Sequence, residues 1–187
     1  QRIPGVLAMA PIIAGMTTVA RDSRSREVIT LGSTDAFFAV RHLNVGAGRI
    51  LSPRTRSEAL AVCVLGVKLK RELFGNSRAL GEWVRVGDRR MRVIGVLEER
   101  GESLGLDLRD MLVIPVRTAE QLFDSPGLFR IILDIAASAD SDKIQQQMLS
   151  TIRKRHDGEE DVTVISQDSM LAAFDNILSV LTMAIAA

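Results

Sequence analysis

Few residues in this chain have the types and spacing that chemistry demands. Asp107 and Asp110 sit in one loop, close enough to act as paired carboxylates in proton transfer. No basic or histidine partner is evident beside them, so the sequence favours a loop-shaping role ahead of the apolar run at Met111. The histidines, His42 and His156, have no Cys, Asp or Glu at ligand spacing, which argues against a metal site. Cys63, the single cysteine, lies inside an apolar run and reads as a core residue. Gly75-Asn76-Ser77-Arg78-Ala79 loosely echoes a nucleophile elbow, but it follows a helix and leads to a strand, the reverse of what that turn needs. Val45-Gly46-Ala47-Gly48-Arg49 is glycine-rich without being GxGxxG and reads as a turn; a Walker-type phosphate loop is missing too. The sequence therefore assigns no catalytic, cofactor-binding or metal-binding residue.

Composition narrows the class further. The 187 residues suffice for one domain or two small ones. Lys and Arg total 24 against 23 Asp and Glu, a net charge of +1, so no bulk field draws nucleic acid. The chain is 47% hydrophobic with only 4% aromatics, a high apolar share for a free soluble protein. One cysteine permits no intramolecular disulfide and does not identify the compartment. The start at Gln1 reads as an excised fragment; no signal peptide or apolar run of transmembrane length is evident.

The positioning elements centre on Leu60–Gly101. Leu60–Gly66 reads as a strand buried on both faces, followed by a short helix over Val67–Phe74 that Gly75-Asn76 ends. Trp83–Val86 and Met91–Leu97 read as a hairpin. A four-residue loop, Gly87–Arg90, would set Val86 opposite Met91 and Val84 opposite Val93; a two-residue Gly87-Asp88 turn is allowed but less apolar in its pairing.

Upstream, Val6–Ala10 and Ile12–Gly15 read as strand pieces separated at Pro11. Thr17–Val19 and Val28–Leu31 flank a charged hairpin tip, Arg21–Arg26. Thr34-Asp35 suits the cap of a helix over Asp35–Val40 anchored by Phe37 and Phe38, and Ser52–Glu58 reads as polar linker. Downstream, Met111–Val116 reads as a strand. Thr118-Ala119-Glu120-Gln121 has the pattern of a capping box starting a short helix. Phe129–Ala136 reads as a strand, and a helix capped by Ser141 or Asp142 carries Ile144, Met148 and Ile152 on one face. Val162–Ile165 predicts a last strand and Gln167–Ala187 a last helix. The segment Ile177–Ala187 is apolar nearly all round and would reach roughly 16 Å, about half a bilayer core, as the first turns of a membrane span. Strands and helices in mixed order, with hairpins as well as βα steps, mean α+β with mixed sheets.

The order of these segments resembles the extracytoplasmic core domain of MacB/FtsX-type ABC transporter permeases. The resemblance rests on Gly32-Ser33-Thr34-Asp35-Ala36-Phe37-Phe38, Gly48-Arg49, Val62–Gly66, Glu72-Leu73-Phe74-Gly75 and Leu80-Gly81. It continues through Val84-Arg85-Val86, Val93-Ile94-Gly95-Val96, Asp110 with Val113-Ile114-Pro115, Ile152–His156 and Asp161-Val162-Thr163-Val164. The family often has Thr-Pro-Asp-Tyr-Phe where this chain has Ser33–Phe38, and often an acidic residue where this chain has Ser52-Pro53-Arg54. The resemblance implies a domain inserted between two transmembrane helices on the periplasmic or extracytoplasmic side of the cytoplasmic membrane. It implies a porter-like α/β subdomain from residues 1–47 and 128–187 with a smaller α/β subdomain, 48–127, inserted. It also implies a domain without chemistry that passes on motion driven by ATP hydrolysis in a cytoplasmic ATPase subunit or domain. The implied partners are that ATPase, a second permease copy in a homodimer and, in some members, a periplasmic adaptor; the cofactors are none.

Two other classes compete with this expectation. One is a small α+β enzyme built on the Asp107/Asp110 loop, which would need convergent titratable groups in a cleft. The other is a free ligand-binding module, which would need one deep apolar pocket. The transporter reading instead predicts chain ends close together, with Ile3 and Phe174 on one side.

Overall fold

The computed structural model describes residues 4–98, 107–124, 130–136 and 139–153. Two compact units are present: Leu7–Asp134, and Gln1–Val6 with Ile135–Ala187. The larger unit begins with a long hairpin, β1 (Val6–Arg21) and β2 (Arg24–Ser33), joined at Asp22-Ser23. The expected break at Pro11 does not occur, and β1 runs through it. Pairing with β2 begins only at Ile13, so the missing proline N–H breaks no rung of that ladder, and the Pro11 carbonyl accepts the Ser33 hydroxyl at 2.6 Å.

The next elements are α1 (Ala36–Val40), β3 (Val45–Gly48), β4 (Val62–Leu65) and α2 (Val67–Phe74). Phe37 and Phe38 of α1 are buried as expected. The Asp35 side chain does not cap α1; it accepts Arg56 Nε at 2.6 Å and Nη2 at 2.7 Å instead. The glycine-rich Val45–Gly48 segment is a strand rather than a turn, paired antiparallel with the strand over Arg89–Leu97. The linker after it holds one 3-10 turn, Pro53–Arg56.

The central hairpin is β5 (Trp83–Val86) with β6 (Arg89–Leu97). Its turn is the two-residue Gly87-Asp88, not the four-residue loop, and the register sets Val86 opposite Arg89 and Val84 opposite Met91. Gly87 takes a positive φ of 59°, which a tight hairpin turn requires and a side chain would resist. Apolar pairing is kept at Val84–Met91, while Arg89 at the strand start reaches Gln121 Oε1 at 2.8 Å.

The chain closes with β7 (Met111–Pro115), α3 (Val116–Leu122), β8 (Arg130–Ile135) and α4 (Ser141–Arg153). The capping-box reading of Thr118 fails: Thr118 is buried inside α3, and its hydroxyl donates to the Leu60 carbonyl at 2.9 Å. At α4 the acceptor is Asp140, one residue ahead of the expected cap, taking the Lys143 N–H at 3.2 Å. The helix buries Ile144. Val162–Ile165, Gln167–Ala187, His156, Ile3 and Phe174 lie outside the described residues.

The eight strands form one mixed sheet. Its pairings run β1–β2–β7–β4–β6–β5 and return from β5 to β1, so six strands close a ring, with β3 added beside β6 and β8 beside β1. The β2–β7 and β4–β6 pairs are parallel. Successive residues of β7 therefore feed two cores. Leu112 and Ile114 join Leu69, Leu73 and Val116 on one side, and Met111 and Val113 join Phe37, Leu51 and Val64 on the other. A strand buried on both faces needs the near-continuous apolar run that MLVIP supplies. The ring joins β2 directly to β7.

Candidate functional site

The paired carboxylates lie where β7 begins. Gly66 precedes α2 and offers no side chain to cap it; instead the Arg109 carbonyl accepts the N–H groups of Lys68 at 2.9 Å and Leu69 at 3.3 Å. The Gly66 N–H in turn donates to the Met111 carbonyl at 2.8 Å. A Cβ on Gly66 would stand 2.2 Å from the Arg109 oxygen, so only glycine permits this approach. The backbone thus docks the loop on the start of α2, and it delivers Asp107 and Asp110 to the helix end where negative charge is favoured.

Cations converge on those carboxylates. Arg26 of β2 donates to Asp110 through Nε at 2.9 Å and through Nη2, a two-point grip. Lys68 Nζ is 2.9 Å from Asp110 and 4.0 Å from Asp107. Arg109 Nε donates to Asp107 at 2.8 Å, and Glu72 of α2 stands 3.8 Å from Arg26. The absence of a basic partner expected from the local sequence is therefore corrected: Arg109 of the same loop pairs with Asp107, and the partners of Asp110 come from β2 and α2, far along the chain.

This environment sets the protonation states. The Arg109 hydrogen bond holds the Asp107 carboxyl below the ordinary range. Burial pushes Asp110 up, but the hydrogen bonds from Arg26 and Lys68 together outweigh it and hold that carboxyl low as well. The bond to Asp110 pushes Arg26 up. A general acid near neutral pH needs a raised carboxyl, and both of these are lowered with their oxygens engaged. What the cluster does is hold: β2, α2 and β7 are tied at one point.

The other candidates are dispersed. Cys63 is buried in β4 and burial pushes its thiol up. His42 is exposed just past α1. Ser77 lies beyond the end of α2, its N–H donating to the Phe74 carbonyl at 2.9 Å. Among the described residues no three His, Cys, Asp or Glu side chains group to hold a metal ion. A groove on α4, lined by Lys143, Gln146, Gln147 and Ser150, is wide open to solvent rather than a deep pocket.

Sequence reasoning passed over a second charged region. Trp83, Arg85, Arg90 and Arg92 are all exposed on the outer face of the β5–β6 hairpin, opposite buried Val84, Val86, Met91 and Val93. Their period-two alternation is the signal that could have found them. Among the described residues none of the three arginines forms an ion pair; Arg90 lies 5.7 Å from the Trp83 ring centre, and Arg92 Nε donates to the Gly81 carbonyl at 3.0 Å.

Known proteins share this architecture. Residues 1–151 match the model of the MacB-like periplasmic core domain. A macrolide export ATP-binding/permease protein MacB of Syntrophobacter fumaroxidans is 32% identical over 181 residues, covering 95% of this chain and 25% of the relative. A pyoverdine export ATP-binding/permease protein PvdT of Pseudomonas entomophila is 27% identical over 191 residues, covering 99% of this chain and 29% of the relative. The chain thus spans about a quarter of the length of the curated relatives it matches. The periplasmic region of MacB from Actinobacillus actinomycetemcomitans superposes with a TM-score of 0.80 at 20% identity, covering 94% of this chain and 78% of that one. The extracellular domain of the transporter YknZ from Gram-positive bacteria gives 0.73 at 19% identity, covering 88% and 83%. At these identities the solved structures share the α+β fold.

Proposed function

This chain belongs to the family of MacB-like periplasmic core domains, and from that membership we propose that it is the extracytoplasmic domain of an ABC transporter permease, carrying ATP-driven motion outward for export. The ATPase that supplies the motion is a cytoplasmic subunit or another part of the same polypeptide, as in relatives that are ATP-binding/permease proteins. A second permease copy completes the transporter, and a periplasmic adaptor is the outward partner. The domain itself performs no catalysis in this reading and uses no cofactor or metal.

The observation that carries the proposal is the closed ring of six strands with α2 pinned to it through Asp110. A body that passes on a displacement must not absorb it. In a closed hydrogen-bonded ring no strand slides without breaking rungs on both sides. The clamp adds the helix to the same rigid body.

The test is the parent transporter in sealed vesicles with Leu7–Asp134 replaced by a short flexible linker. ATP hydrolysis should persist while export stops. Export at the parental rate would overturn the proposal.

A further inference from the structure

We propose that the outer face of the β5–β6 hairpin, formed by Trp83, Arg85, Arg90 and Arg92, docks an acidic segment of a partner polypeptide. The register places Arg85 directly opposite Arg90 and Trp83 directly opposite Arg92. Like charges facing each other across a ladder oppose folding, so this arrangement is not explained by stability. Elsewhere in the larger unit, Arg26, Arg56, Arg109 and Arg117 each hold a carboxylate within the chain, while exposed Arg49 and Arg78 hold none among the described residues but lie singly, outside the strands. On this face three exposed arginines stand together with no internal carboxylate among the described residues; Arg90 lies over Trp83 and Arg92 donates only to the Gly81 carbonyl. Guanidinium forks match carboxylates in two-point geometry. The indole beside them supplies the flat apolar surface on which an approaching chain loses water, and Trp and Arg are both enriched where interfaces hold most tightly. With a net charge of only +1 over the chain, the attraction is local to this face.

The occupant is a polypeptide rather than a lipid surface because of where the hairpin sits. β5 meets β1 at Val19 and Ala20, far along the strand from Leu7; at about 3.3 Å per residue this is on the order of 40 Å. On the proposed reading the N-terminal end of β1 faces the membrane, so the arginines stand away from it. The inference rests on that reading for the identity of its occupant.

Trp83 is the only tryptophan, and Arg90 lies over it, so its emission reports on this face alone. The chain is titrated with a peptide of alternating glutamate and aspartate, and separately with phosphatidylcholine–phosphatidylglycerol vesicles. The peptide should change Trp83 emission saturably, with an affinity that falls as salt rises. R85E/R90E should weaken it by about tenfold or more, while R54E/R78E, with the same change of net charge, should leave it near parental. Should R85E/R90E melt early, R85Q/R90Q decides in its place. No saturable change, equal loss in R54E/R78E, or a response to vesicles without one to peptide would each overturn the proposal. If peptide binding fails while export still depends on Leu7–Asp134, only this surface is removed; if binding holds and that dependence fails, only the mechanical reading is.

Discussion

Two arginine-bearing regions of one sheet treat charge in opposite ways. At the start of β7, Arg26 and Lys68 close on Asp110, and Arg109 on Asp107, so every charge at that point has its counterpart inside the molecule. On the outer face of β5–β6, Arg85 and Arg90 face each other and Arg92 faces Trp83, with no carboxylate of their own among the described residues. The first arrangement spends its electrostatics on holding β2, α2 and β7 together. The second leaves them available to something outside. Charge alone therefore does not mark function in this fold, and neither does one unpaired arginine, since Arg78 is exposed without a carboxylate too; the β5–β6 face differs in gathering three such arginines around Trp83.

The difference is sharpest when each region is broken in turn. Gly66→Val should have the largest effect, because its Cβ falls 2.2 Å from a backbone oxygen that cannot step aside without undocking the 107–110 loop. We expect a loss of about 3 kcal/mol in chemical denaturation, the upper part of the overpacking range. A variant as stable as the parent would show that the loop is not held at the start of α2.

Asp110→Ala comes next. It leaves Arg26 and Lys68 side by side without their shared acceptor and should lose about 2 kcal/mol, the scale of hydrogen bonds to a charged group. In a chain of this size that lowers the melting temperature by about 4–8 °C. Asp107→Ala should lose less, since Asp107 is more exposed and its main partner, Arg109, is two residues away.

Acid should reproduce the Asp110 effect without a mutation. Both carboxyls titrate lower in the folded chain than in the unfolded one. Their contribution is therefore present above the unfolded value, about pH 4, and is lost as pH falls through the folded values below it. Melting temperature measured downward from pH 5 should fall more steeply for the parent than for Asp110→Ala. Parallel curves would contradict the assigned direction.

The outer face should respond with the opposite sign. Arg90→Glu replaces a like-charge pair by an opposite one across the ladder and should be neutral or gain a few tenths of a kcal/mol. A loss of about 2 kcal/mol would mean that Arg90 is a structural residue and would erase the contrast with Asp110.

The sequence carried some of this plainly and hid the rest for identifiable reasons. Phe37 and Phe38, the α2 helix and the MLVIP run were legible because local apolar pattern decides them. The β5–β6 register was misread because apolar pairing was given more weight than turn geometry, and Gly87 decided in favour of the turn. Thr118 was misread because a capping pattern says nothing about whether the helix has already begun at Val116. The charge clamp was invisible for a different reason: Arg26 reaches Asp110 across 84 positions of sequence, and only the parallel β2–β7 pairing brings them together. The exposed arginines, by contrast, were visible as alternation, and their lack of partners became apparent only once the fold had placed every described carboxylate.

The most direct test of the mechanical reading is the number of substrate molecules exported per ATP hydrolysed by the parent transporter carrying Asp110→Asn, reconstituted in sealed vesicles. A body that passes on motion should keep hydrolysing ATP when its clamp is loosened, and export less per ATP. An unchanged ratio in a folded variant shown to have lost clamp stability, or a loss of hydrolysis itself, would contradict it.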